Sequence, residues 1–321
     1  MTAADPFRVS VVIPCFNAGA YLRDAVRSVE TQTGVGAGEF ELCDIVVVDD
    51  GSDDPATRDV LRDIAALPVV RIVANEQQKG SGGARNTGIA HAAGDWIAFL
   101  DADDVFCDDS IACRVAAARR FPGSRWIGGD FVVWNENGSL EAETFFATRP
   151  RPRKVLARAF ETGAPIALPR PVAEFIDSPP THMCCVMAEK SLIAEAGGFD
   201  PSQRLQQDFH LFIRMALHSD FVFVPQPVMH YRQHAASATR SETETLRWRE
   251  TACRKLLADP AFAHYASLLR RKIAGIAREM STAFSAGGEH ASAFSAALRS
   301  VRAWPGDAAG WKRLAAAAML R

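Results

Sequence analysis

The sequence predicts an α/β protein with one mixed sheet covered by helices, followed by a helical C-terminal extension. Over the first half of the chain, β-branched runs alternate with segments of helical spacing, in the manner of a parallel sheet with covering helices. Each run ends, on its carboxyl side, in polar or small residues, the place where open α/β sheets bind ligands. Residues 95–104, Asp-Trp-Ile-Ala-Phe-Leu-Asp-Ala-Asp-Asp, pass abruptly from buried-type apolar side chains to carboxylates.

Residues 8–13 (Arg-Val-Ser-Val-Val-Ile) form a strand stopped by Pro14, and residues 18–32 follow as a helix with Leu22, Val26 and Val29 on one face. A second strand at 45–48 ends in Asp49-Asp50-Gly51-Ser52, and a helix at 55–66 opens with proline in its first turn. Residues 69–74, 83–93 and 95–100 read as strand, helix and strand, and 109–121 as a helix. Residues 126–134 and 140–147, separated by Asn135-Glu136-Asn137-Gly138, predict an antiparallel hairpin. The Pro- and Arg-rich stretch 148–181 predicts a mobile, substrate-facing loop around one short helix. A strand at 183–187, a helix at 189–196, the turn Gly197-Gly198-Phe199-Asp200, a helix at 205–218 and strands at 221–224 and 228–231 complete the body. From Ser241 the chain is Ala-rich and helical, with breaks at Ala286-Gly287-Gly288 and Pro305-Gly306, and the last 35 residues fit a helical hairpin.

At 321 residues and 48% hydrophobic, the chain can bury a large core. Its seven cysteines are odd in number and lack Cys-x-x-Cys spacing, which argues against a disulfide framework and a zinc site and for reduced thiols. The N-terminus carries no basic region followed by an apolar run, and no stretch of about 18 apolar residues occurs, so neither a signal peptide nor a membrane span is expected. A cytoplasmic protein follows. Of 36 Lys/Arg and 38 Asp/Glu, residues 241–321 hold 13 and 7 and residues 1–240 hold 23 and 31, so the tail is +6 and the body −8. A basic helical tail suits peripheral contact with anionic lipid at the inner membrane face, or a partner, and equally a solvated helix face. No nucleic-acid partner is expected.

Asp101, Asp103 and Asp104 at a strand end repel one another unless a cation sits among them, and hard oxygen donors suit Mg²⁺ or Mn²⁺ carrying a diphosphate. A solvated turn or helix cap is the plainer alternative. Asp49-Asp50-Gly51-Ser52 presents carboxylates to which a nucleobase imide or a ribose hydroxyl could donate, while Ser52 or Asp53 also fits a helix N-cap. Lys79-Gly80-Ser81-Gly82-Gly83-Ala84-Arg85-Asn86 joins glycines, two cations and a helix N-terminus suited to anions, without the ending of a P-loop. Asp208, at the start of Asp-Phe-His-Leu-Phe-Ile-Arg-Met, could serve as general base or merely complement the helix dipole. His230-Tyr231-Arg232-Gln233-His234 offers ring nitrogens for a third metal ligand and a guanidinium for pyrophosphate.

Together, Val9-Ser10-Val11-Val12-Ile13-Pro14-Cys15-Phe16-Asn17, Val47-Val48-Asp49-Asp50-Gly51-Ser52, Gly83-Ala84-Arg85-Asn86-Thr87-Gly88, Phe99-Leu100-Asp101-Ala102-Asp103-Asp104, Gly197-Gly198-Phe199-Asp200 and Gln207-Asp208 resemble the inverting glycosyltransferases of family 2 over residues 7–235. The resemblance implies the GT-A fold, a single Rossmann-like mixed sheet, in a domain spanning 1–240 with a nucleotide-binding half (1–105) and an acceptor half (106–240), before the helical extension 241–321. It implies that Pro14, Phe16 and Asn17 border the nucleotide, that Asp49 accepts from the base with Arg85 nearby, and that Asp50, Ser52, Lys79 and Gly80 complete that subsite. Asp101 would meet ribose or metal and Asp103 the metal, with His230 or His234 where some members place a metal or phosphate ligand. Asp208 matches the catalytic base, and Gly198 and Gln207 fall on the acceptor side. Phe16 stands where Tyr is commoner, and Gln207 replaces the Glu that usually precedes the base.

The expected reaction is a single displacement with inversion, from a UDP-sugar bound with Mn²⁺ or Mg²⁺ to a carbohydrate, lipid-linked or protein acceptor, in polysaccharide or glycoconjugate synthesis. A nucleotidyltransferase lacks its glycine-and-arginine signature after the first strand, and a dinucleotide oxidoreductase lacks Gly-x-Gly-x-x-Gly there. A non-catalytic nucleotide-sugar binding module stays open through Gln207.

Overall fold

The computed structural model describes residues 7–35, 38–135, 137–234 and 241–319. The N-terminal residues 1–6, read above for a leader, Glu136 of the expected turn and residues 235–240 at the expected domain boundary lie outside the described residues.

Four parallel strands form the first half: β1 (Phe7–Cys15), β2 (Phe40–Asp49), β3 (Val70–Ala74) and β4 (Trp96–Phe99). Their order is β3-β2-β1-β4, so the chain winds outward to β3 and then returns to the other flank of β1. At such a reversal the helices that follow adjacent strands diverge, and a crevice opens beyond the carboxyl ends of β1 and β4. The β-branched residues of β1 and β2 are buried because the sheet is covered. Helix Ser81–His91 lies close on β1 and β2 at Gly88, where a Cβ would stand 2.4 Å from Val12 Cγ1 and 3.1 Å from Val48 Cγ2. Helices Tyr21–Glu30 and Pro55–Ile64 pack on each other, each burying one apolar stripe.

The second half extends the same sheet through β5 (Val105–Phe106), β6 (Ser124–Trp134), β7 (Ile166–Leu168), β8 (Met187–Glu189) and β9 (Asp220–Arg232). β8 runs antiparallel to both β4 and β6 and so joins the halves, β9 lies parallel to β6, and β5 and β7 pair antiparallel with β9. The sheet therefore reads β3-β2-β1-β4-β8-β6-β9-β5, with β7 on β9.

Several expectations are corrected here. The hairpin reduces to one bridge, Trp134 to Leu140, and Phe145–Thr148 is a helical turn. Phe145 and Phe146 pack on Phe131 at ring distances of 4.5 and 5.6 Å, so the aromatic residues cover β6 instead of extending it. The stretch 148–181 is ordered as helix Pro150–Thr162, β7 and helix Val172–Asp177. Pro at the first turn and Gly163 in the left-handed region bound the first of these, a start and a stop that the weak periodicity hid. Residues Met183–Cys185 form a 3₁₀ turn and only Met187–Glu189 are strand. The two late strands are one, because the register steps from Val224 opposite Gly129 to Pro227 opposite Asp130, and Pro225 falls in the bulge between.

In the C-terminal helices the breaks at Gly287-Gly288 and at Pro305-Gly306 fall where expected, between Ala266–Ala286, His290–Ala303 and Ala308–Met319. Helix Glu242–Ala258 packs on Gln207–His218, and Ala266–Ala286 packs on Val172–Asp177. No helix among the described residues is long and apolar enough to cross a membrane.

Candidate functional site

The carboxyl ends of β1 to β3 gather most of the residues expected around a nucleotide. Pro14 pairs in register with Val48, and the chain then turns through Asn17 at φ 49°, a left-handed conformation that asparagine tolerates. The Asn17 side chain donates to Asp53 (2.7 Å) and accepts from the Asp53 and Asp54 amides (3.0 and 3.1 Å), and its own N–H donates to Ser52 Oγ (3.1 Å). Asn17 and Ser52 thus tie the loop after β1 to the loop after β2. Asp49 accepts from the Ser52 amide at 2.9 Å. Asp50 accepts from Asn75 Nδ2 (2.6 Å) and from the Gly80 amide (2.8 Å), which fixes the turn that leads into helix Ser81–His91. Lys79 Nζ sits 4.1 Å from the ring centroid of Phe16, itself 48% exposed, so a cation and an aromatic face stand at the mouth of this group. The helix after β2 is capped by Asp54, not by Ser52 or Asp53: Asp54 accepts from the Thr57 amide at 2.8 Å.

Beyond β4 lies a cavity of about 870 Å³, and Arg85, Asp101, Gln207 and Asp208 all line it. Asp101 is delivered by the apolar run of β4, and Arg85 by the first turns of Ser81–His91. Arg85 Nη2 donates to Asp101 Oδ1 at 2.6 Å, whereas its buried Nε meets no acceptor among the described residues. Burial works to raise the pKa of Asp101, but the Arg85 guanidinium, helped by His182 and a hydrogen bond with Cys184, outweighs it and holds the carboxyl below its usual value. Gln207 Nε2 donates to Ser81 Oγ, so the residue before Asp208 braces two helices that come together only in the fold. Asp208 stands in the first turn of Gln207–His218, where its charge complements the helix dipole, accepts from the Phe209 amide at 2.8 Å, and still keeps its side chain on the cavity wall. The chain enters this helix through Gln206 at φ 58°, held by a 2.8 Å hydrogen bond from Arg249 Nε to Gln206 Oε1.

The remaining acids differ in surroundings. Asp103 Oδ2 is 2.9 Å from His234 Nε2, and Arg232 Nε donates to the Asp103 carbonyl at 3.0 Å. Asp104 is buried, accepts from the Arg232 amide at 2.9 Å, and its pKa is pushed well up by burial and by Asp101 and Asp103. Asp103 and His234 do not line the cavity of Asp101 and Asp208, and two further expected site residues lie apart from both groups. His230 turns its Nε2 to within 3.6 Å of Cys107 Sγ, since it follows the strand partner of β5 and not the acids. Gly198, at φ 66°, does not line the cavity; its turn is pinned to Asn86, which accepts from the Phe199 amide (2.9 Å) and donates to the Phe199 carbonyl (2.8 Å). The sequence reading missed His182, which lines the cavity and is held neutral because burial lowers its pKa against the pull of Asp101 and Asp208. It falls between the stretch read as loop (148–181) and the strand read at 183–187, with no periodicity to mark it.

Asp101, Asp104 and Cys184 bring potential ligand atoms within 4.8 Å of one another. This trio suits a hard cation poorly, because one of its three donors is the soft sulfur of Cys184, whose pKa burial and Asp101 push well up. Asp103 carries oxygen donors of the kind that suits Mg²⁺ or Mn²⁺, with the imidazole of His234 beside it.

A family model described as "Glycosyl transferase family 2" matches residues 10–163, from the first strand past the acids after β4. Residues 10–163 thus form a glycosyltransferase family 2 domain. It is 31% identical over 133 residues to the Escherichia coli UDP-Glc:alpha-D-GlcNAc-diphosphoundecaprenol beta-1,3-glucosyltransferase WfgD, covering 41% of this chain and 49% of that one. To the Erwinia amylovora amylovoran biosynthesis glycosyltransferase AmsB it is 24% identical over 253 residues, covering 74% of each. The chain thus spans about half the length of WfgD. Among solved structures it is similar to S. aureus TarS 1–349, with TM-score 0.61 and 16% identity over 93% of this chain and 81% of that one. The same TarS fragment in complex with UDP-GlcNAc gives a TM-score of 0.59 with 16% identity, covering 92% of this chain and 81% of that one. The likeness establishes the GT-A fold for this chain, helical C-terminal region included.

Proposed function

We propose that this chain is an inverting glycosyltransferase that moves a sugar from a UDP-sugar to an acceptor hydroxyl, with Asp208 as general base. The observation that carries the reading is that Asp208 and the Asp101–Arg85 pair, 107 residues apart in sequence, line one cavity beyond the carboxyl end of β4. Names of relatives support it: WfgD is named for a UDP-Glc donor and AmsB for amylovoran biosynthesis, so polysaccharide or glycoconjugate synthesis is the setting that we propose.

Asp49, beside Phe16 and Lys79, would receive the base, and Arg85 would keep Asp101 ionised toward the ribose. Asp103, with Asp101, would hold Mg²⁺ or Mn²⁺, which when bound offsets charge on the diphosphate as a Lewis acid. Asp208 accepts the proton of the acceptor hydroxyl as that oxygen attacks the anomeric carbon from the side opposite the diphosphate, and the sugar–phosphate bond breaks with inversion. General base catalysis contributes roughly 10²–10⁴ in rate. Incubation with Mn²⁺ and a panel of nucleotide sugars tests the class: slow hydrolysis of a UDP-sugar, absent in Asp103→Ala, is expected, and no turnover or binding of any nucleotide sugar would refute it.

A further inference from the structure

The transferase reading names no acceptor, and the charges around the cavity supply one. Apart from Arg85, which Asp101 neutralises, the wall carries Arg149, Arg151, Arg249 and Lys272. Arg151 meets Asp177 at 3.6 Å. Among the described residues, Arg149, Arg249 and Lys272 have no carboxylate at ion-pair distance. Their contacts are neutral ones: Arg249 donates to the Gln206 amide oxygen, Lys272 Nζ to the Asp177 carbonyl, and the Arg149 guanidinium lies 4.5 Å from the Phe145 ring centroid. Lys272 is half-buried, and burial together with Arg249 pushes its pKa down. Three of the four cations on this wall thus lack a carboxylate partner among the described residues, and a bound anion is what would offset their mutual repulsion.

A solvated basic face would spread its charges along one helix. These cations come instead from three separate helices, Pro150–Thr162 with the residue before it, Glu242–Ala258 and Ala266–Ala286, and converge on the cavity that holds Asp208. Phe131, Phe145 and Tyr231 line the same cavity and give apolar surface beside the charges. We infer that this wall is the acceptor subsite and that it takes an acceptor carrying a phosphate or diphosphate group near its reactive hydroxyl. Two of the four cations belong to the C-terminal helices, so the extension completes the acceptor site. The inference rests on the transferase reading, which assigns the donor diphosphate to the Asp103 side and leaves this wall to the acceptor.

Calorimetry on the full chain saturated with UDP, which blocks the donor subsite, tests it with geranyl diphosphate, inorganic pyrophosphate and geraniol as probes. Both diphosphates should bind saturably and geraniol about tenfold more weakly or not at all, the ratio expected of one charge-assisted contact. Geranyl diphosphate binding more tightly than pyrophosphate would identify a lipid-linked acceptor, and equal binding a soluble phosphorylated one. Lys272→Met and Arg249→Gln should each weaken geranyl diphosphate about tenfold, and Lys272→Arg should retain it. Failure of both diphosphates to bind the UDP-loaded chain, or binding that neither charge removal changes, overturns the inference. A chain that binds no UDP loses the transferase reading as well, whereas UDP binding without diphosphate binding overturns the acceptor class alone.

Discussion

Arg85→Met removes the cation that balances Asp101. Arg85 is 5% exposed and its Nη2 stands 2.6 Å from Asp101 Oδ1. Deleting one member of a buried ion pair costs about 3–5 kcal/mol, because the other charge is left behind in low dielectric. The Asp101 side chain is 30% open to the cavity, so screening lowers the expected loss to about 2–3 kcal/mol. Methionine replaces most of the aliphatic stem, which keeps the packing term small. The sign follows from linkage: Arg85 holds the Asp101 pKa below its unfolded value, so the contribution is full at neutral pH and falls away as pH drops through the acid range below about 4. Urea denaturation of the wild type, Arg85→Met, Asp101→Asn and the double variant gives the coupling energy, expected at about 1 kcal/mol or more, with the double variant more stable than Arg85→Met. A loss under about 1 kcal/mol, or single effects that simply add, would refute the reasoning.

Burial and Arg214 hold His210 down to about 4, against an ordinary 6.5, so the unfolded chain binds its proton first and stability falls as pH drops from about 6.5 toward 4. Between pH 6.5 and 5 the loss from this residue is about 2 kcal/mol, and His210→Phe should flatten that slope; thermal melts of equal pH dependence would contradict it. Gly88→Ala forces a methyl to within 2.4 Å of Val12 Cγ1. Overpacking of about 1–3 kcal/mol, less about 1 kcal/mol gained in helix propensity, leaves a net loss of up to about 2 kcal/mol and should lower Tm by about 1–3 °C in calorimetry, and a raised Tm would show that β1 yields freely.

The first half was legible because its signals are local. In β1 and β2 a continuous β-branched run states burial on both faces, and Asp101 follows β4 as directly in space as in sequence. The meeting of Asp208 with Asp101 was legible only through the family resemblance, since no spacing joins residues 107 apart. The second half misled where tertiary partners overrode pattern. Residues 140–147 alternate like a strand, yet Phe145 and Phe146 satisfy their apolar surface on Phe131 instead. Pro225 and Pro227 read as an end to pairing, although a bulge lets β9 continue past them. His230 and His234 looked equivalent in sequence, but only His234 reaches Asp103, at 2.9 Å, while His230 faces Cys107. The charge excess of the tail was visible, but its convergence with Arg149 and Arg151 on one cavity depends on how three helices pack.

Asp208→Asn separates the proposed chemistry from binding, because the amide keeps the oxygen that accepts from the Phe209 N–H and loses only the capacity to take a proton. Transfer from a UDP-sugar, measured beside UDP titration on the same sample, should fall by roughly 10² or more with donor affinity unchanged. Full turnover in the variant would contradict the assignment of Asp208 as base.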